Sequence, residues 1–207
     1  QELKQLPAAR DAYEKLLTVN PQFSPALNNL AYLYSEHFGQ LDKAYEMANR
    51  ARQLLPSDPA AADTLGWILY KKGDFKLALG LLEESAGRLP AEPEVQFHLG
   101  MAQYMVGSEE SARLTLQRAV QSSRDFPGKE EAKRRLDLLA IDAKTASPSV
   151  LAALEKSLQQ EPNDPVVASR LAKIYDRDGS FDKAIAIYEK MLKGDPQNAS
   201  AMGRLAQ

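Results

Sequence analysis

A spacing of 34 residues runs through this chain and limits what it can become. Ala44, Ala78 and Ala112 lie one such step apart. Leu30-Ala31, Leu65-Gly66 and Leu99-Gly100 precede them, and Pro56 and Pro90 close the first two copies. A period of this length, with two short helical patterns per copy, predicts stacked helical hairpins. One hairpin cannot bury its own apolar face, so copies must lie side by side.

The clearest copy begins at Pro59 and reads PAAADTLGWILYKKGDFKLALGLLEESAGRLP. Leu65, Ile68 and Leu69 recur at helical spacing in its first half, and Ala78, Leu81, Leu82 and Ser85 in its second. Lys72-Gly73-Asp74 divides them: glycine tolerates the left-handed turn, and the aspartate is placed to cap the next helix. Small side chains at Gly66 and Ala78 let the paired helices approach closely. The copy before it, from Ser24 to Pro56, carries one extra residue within Tyr34–Gly39 and predicts a wider turn. Further upstream, Ala9, Tyr13, Leu16 and Pro21 match a second helix whose partner is missing or truncated.

A copy follows from Pro93 to about residue 122, and another lies at Pro165–Pro196, with Pro162 and Pro196 again 34 apart. Residues 1–128 thus read as one array with units near 24–56, 59–90 and 93–122, and 163–207 as a further unit. The tail ASAMGRLAQ resembles the start of another first helix, cut off at Gln207; either the natural chain continues or another molecule packs over it. Between the arrays, residues 129–162 hold two amphipathic stretches, Lys129–Ile141 and Val150–Leu158, divided by a turn at 142–148. They form either a degenerate unit of one continuous superhelix or a cap followed by a hinged second array. Pro127-Gly128 bends or widens the stack in either case.

Composition narrows the function. With 26 basic and 28 acidic side chains the formal charge is -2, without the basic excess typical of nucleic-acid binders. No 18-residue apolar run exists to span a bilayer, and the first residues lack a signal-peptide core. The chain starts at Gln1, which leaves open whether further sequence precedes it. With no cysteine there are no disulfides or thiolate metal sites, and cytoplasm and periplasm both stay open. His37 and His98, the only histidines, share no metal-ligand spacing. Paired carboxylates such as Glu83-Glu84 and Glu109-Glu110 read as helix surface. Gly73, Gly107 and Gly179 are single turn glycines rather than a phosphate cradle. No catalytic residue, metal or cofactor is implied.

These units resemble the tetratricopeptide repeat family. The small residues at Gly66 with Ala78, Gly100 with Ala112, and Ala172 with Ala184 match its pattern, as do Phe75 and Phe181 before the second helices. Pro56, Pro90, Pro162 and Pro196 match its closing proline. Glu109 departs from it, where a large apolar residue is usual. The wording of Leu27–Val120 also resembles repeat proteins beside bacterial exopolysaccharide and protein-sorting machinery, which would suit an envelope setting.

The resemblance implies an all-α, right-handed superhelix acting as a non-enzymatic scaffold for a protein or peptide. The alternative is a structural or self-associating spacer in a multiprotein assembly. In family members the first helices line the concave face. Carried over, this places Asn28, Asn29, Tyr32, Asp63, Thr64, Trp67, Tyr70, Lys71, Phe97, His98, Met101 and Tyr104 along a groove. The helical phase of Asn28, Asn29 and Tyr32 relative to Leu30 and Ala31 agrees. Amides would hold a peptide backbone, and aromatic rings would supply apolar anchors. The competing reading makes the aromatic and methionine residues core. The later copy offers Ser169, Arg170, Lys173, Arg177 and Arg204 at corresponding places. Arg170 and Lys173 are placed to meet an acidic side chain or a terminal carboxylate, and the competing reading makes the basic residues a solvated face. The family's carboxylate clamp of Lys and Asn is not reproduced, since Tyr32, Asp63 and Trp67 replace most of it.

Overall fold

The computed structural model describes residues 2–196 and 198–206. Gln1 and Gln207, the two ends discussed above, lie outside them. All elements among the described residues are helices: α1 (Glu2–Val19), α2 (Ser24–Glu36), α3 (Leu41–Leu54), α4 (Pro59–Lys71), α5 (Phe75–Arg88), α6 (Pro93–Met105), α7 (Glu109–Gln121), α8 (Lys129–Ala140), α9 (Pro148–Gln160), α10 (Pro165–Arg177), α11 (Phe181–Gly194) and α12 (Ala199–Leu205).

Proline begins α4, α6, α9 and α10 and stands at the second residue of α2. In a first turn its missing N–H costs nothing and its fixed φ suits a helix. The turns inside three hairpins cross the left-handed region at Gly73 (φ 87), Gly107 (φ 78) and Gly179 (φ 75). The turn at 37–40 is one residue longer than that at 72–74, as the extra residue requires. Asp74 occupies the cap position of α5, yet its side chain makes no capping hydrogen bond. The capping expectation fails there: the left-handed glycine already sets the entry angle. Asp58 and Asp164 do cap, accepting from the first amides of α4 and α10.

Helices α2–α3, α4–α5 and α6–α7 form hairpins that stack in order, with α1 against α2 and α8 against α7. Alanines seal the joints: Ala44, Ala48, Ala78 and Ala112 are fully buried. Gly66 faces Leu82 and Gly100 faces Leu116 so closely that an added Cβ would sit 2.8 Å and 2.6 Å from those side chains. This is an α-solenoid of stacked hairpins. A second group, α9 to α12, packs in sequence around its own core of Leu154, Val167, Leu171, Ile174 and Tyr188. Helix α10 also touches α6 and α8. The second group therefore leans back onto the stack, and this contact shapes the larger of the two cavities described below.

Candidate functional site

The first helices α2, α4 and α6 are neighbours, so their outward side chains share one wall. At its upper end Asn29 is exposed and donates to the Tyr13 hydroxyl at 3.1 Å; Asn28 beside it is half-buried. Lys71 Nζ reaches Glu36 at 2.7 Å and lies 5.8 Å from the Trp67 ring centre. Trp67, half-buried, stacks on Tyr70 at 4.6 Å and on His98 at 4.1 Å. His98 is buried, and its Nδ1 is 3.0 Å from Asp63. Thr64 is buried beside the same depression.

Burial pushes the Tyr32 hydroxyl up to about 12, helped by the charges of Glu94, Glu36 and Asp63. Burial also raises the Glu94 carboxyl, and Asp63 and Glu36 add to the effect while His98 opposes it. Three carboxylates thus converge on one aromatic patch. Between Tyr32, Glu36, Asp63, Trp67 and His98 lies a depression of only about 10 Å³. That is room for about one water, so a ligand would lie across this wall instead of inserting into it.

The lower end differs from expectation. Phe97, Met101 and Tyr104 are buried at 4%, 3% and 0% exposure, in a core shared with Phe126, Ala132, Leu139 and Val166. Helices α8 and α10 cover that stretch of the first-helix face, so these three are core residues and not groove lining. Tyr70 packs against the same core, and burial lifts its hydroxyl to about 12. Arg170 is also corrected. It is buried, pairs with Glu109 at 2.5 Å and donates to the Leu139 carbonyl at 3.3 Å. A guanidinium held this way has no room for an incoming carboxylate. Glu109, the departure from the repeat pattern, is that arginine's partner. Lys173 is exposed and Ser169 buried. Arg177 donates to the carbonyls of Ala143, Lys144 and Ala146, and Arg204 pairs with Asp176.

Sequence reasoning missed the cluster that seats α10. Arg135 lies 2.5 Å from Asp164 and 2.7 Å from Glu161. Asp164 accepts from the Tyr104 hydroxyl at 2.9 Å and from the amides of Val166 and Val167. Burial pulls the Arg135 pKa down, but hydrogen bonds with Glu161 and Tyr104 and the charge of Asp164 hold it above its usual value. Burial and Asp164 also push the Tyr104 hydroxyl up. The only sequence signal was the Asp164-Pro165 helix start, which says nothing of a distant arginine.

Three family models, each described as a tetratricopeptide repeat, match residues 12–46, 64–129 and 142–201. This chain belongs to the tetratricopeptide repeat (TPR) family. It is 36% identical over 80 residues to a TPR repeat-containing protein of Pseudomonas aeruginosa, covering 39% of this chain and 13% of that one. It is 28% identical over 181 residues to human protein O-mannosyl-transferase TMTC1, covering 85% of this chain and 20% of the relative. The TPR chain thus spans at most 20% of the length of these curated relatives. Among solved structures, YrrB, described as a TPR protein with an unusual peptide-binding site, superposes with a TM-score of 0.55 at 19% identity. That match covers 96% of this chain and all of YrrB. The Cut9–Hcn1 complex of the APC/C gives a TM-score of 0.58 at 20% identity, over 99% of this chain and 40% of that one. At such identities the likeness is one of fold. Among the described residues no helix is long and apolar enough to cross a membrane, and no three His, Cys, Asp or Glu side chains are grouped to hold a metal.

Proposed function

We propose that this TPR chain is a non-enzymatic scaffold that holds an extended peptide across the upper first-helix wall. Asn29, Tyr32, Asp63, Trp67 and Lys71 would make the contacts. One observation carries the reading: the half-exposed Trp67 ring sits among Glu36, Asp63 and Glu94 where three hairpins present a common face. Asn29 can exchange its bond to Tyr13 for a peptide amide. The three carboxylates, offset by Lys71, favour a segment bearing lysine or arginine beside the ring. The shallow depression suits a strand laid along the surface. That YrrB is described as binding a peptide supports a similar use of this fold.

The test is an array of dodecapeptides probed with labelled protein. Basic, aromatic-containing sequences should bind in preference to acidic ones. Trp67→Ala should weaken them roughly thirtyfold, the effect of losing about 2 kcal/mol from a central aromatic anchor, with helical circular dichroism retained. Peptides bound equally by wild type, Trp67→Ala and Asn29→Ala would place recognition elsewhere.

A further inference from the structure

A cavity of about 540 Å³ opens where the α9–α12 group meets the hairpin stack. Trp67 and the other residues of the first-helix wall are not part of its lining. Its stack side is built from the turn at Gly73 and the start of α5, together with the end of α6. Its other side comes from the ends of α9 and α11 and the start of α10. Phe75, Leu77 and Met105 face Leu158, Ile187 and Met191 across it. The volume falls within the range of ordinary ligand pockets, about 300–1,000 Å³. Two methionines give a lining that adapts to different side chains. Leu77 is 66% exposed, a large apolar side chain that packing within this chain does not use.

The charges at the rim define what fits. Lys76 and Asp195 face each other across the mouth at 3.6 Å, an exposed and therefore weak tie. Asp164 is taken up by Arg135 and Tyr104. Asp74, on the stack side, has no ion pair among the described residues. Lys190, on the opposite side, donates to the Pro162 carbonyl at 2.6 Å and has no carboxylate in ion-pair range among the described residues. Neither side chain is held in an ion pair among the described residues, although Lys72 offsets part of the Asp74 charge; the two charges are opposite in sign and sit on opposite walls, with apolar surface between them.

We propose that this cleft receives an amphipathic peptide segment, its large aliphatic side chains inward, a basic residue toward Asp74 and an acidic one toward Lys190. A fatty acid or a simple anion carries only one of the required charges; a short helical segment carries both with an apolar stripe between.

The probe is a fluorescein-labelled peptide with three leucines at helical spacing between an N-terminal glutamate and a C-terminal lysine, followed by fluorescence anisotropy on the full chain. Saturable binding is expected. Replacing both charged peptide residues by glutamine should weaken it at least fivefold. Leu77→Lys should weaken it at least tenfold, and because that side chain is exposed the variant keeps the wild-type melting curve. Asp74→Asn should weaken the charged probe but not the glutamine probe. Trp67→Ala should leave all of these values unchanged, which separates this cleft from the first-helix wall. Absence of saturable binding, equal affinity for both peptides, equal affinity of Leu77→Lys, or loss with Trp67→Ala overturns the proposal.

Discussion

Single side chains decide how tightly the repeats can close. Ala is worth about 1 kcal/mol more than Gly inside a helix, whereas overfilling a packed joint costs about 1–3 kcal/mol. At Gly100 a new Cβ would meet Leu116 at 2.6 Å and its backbone nitrogen at 3.2 Å. Backbone cannot swing aside, so Gly100→Ala should lower stability by about 1–2 kcal/mol in a urea titration. Gly66→Ala, opposed at 2.8 Å by a leucine side chain, should cost less; the reverse order would refute this account. Glu94 makes a separate prediction. Burial raises its folded pKa above the unfolded value, so its favourable contribution is complete below the ordinary carboxylate range and is lost as pH rises past the raised value. Glu94→Gln should therefore melt above wild type at pH 7, with the difference vanishing at acid pH. At this scale the small residues of the joints were legible from the repeat. The burial of Phe97, Met101 and Tyr104 was legible only as the competing reading, because helical phase puts them on the first-helix face and cannot reveal that α8 and α10 cover it.

Among the elements, α10 depends most on one residue. Asp164 caps it, neutralises the buried Arg135 and accepts from Tyr104. Removing one member of a buried ion pair leaves an uncompensated charge, which costs about 3–5 kcal/mol. The surviving bonds of Arg135 to Glu131 and Glu161 soften this. We expect Asp164→Ala to cost about 3 kcal/mol, with amide exchange accelerating first in α9–α12. Uniform acceleration through α2–α7 would contradict the assignment. Helix positions were readable in the sequence because proline starts and glycine turns are local signals. The cap at Asp74 was misjudged since an aspartate in the right place need not turn its carboxylate toward the amides.

For the whole molecule, the order of hairpins followed from the period, but the return of α10 onto α6 did not. It rests on Tyr104–Asp164, 60 residues apart, while Arg135–Asp164 and Arg170–Glu109, 29 and 61 apart, tie α10 to the adjoining α8 and α7, and no periodicity encodes them. Small-angle scattering of Asp164→Ala should give a larger radius of gyration than wild type if these pairs hold the two groups together. Arrays in which each repeat touches only its neighbours tend to lose order piecemeal from their ends. Here one carboxylate rivets repeats that are not adjacent. Fraying from the C-terminal side must strip the buried Arg135 of its Asp164 and Glu161 partners before it can spread, so denaturation should resemble the failure of a closed frame more than the unzipping of a row.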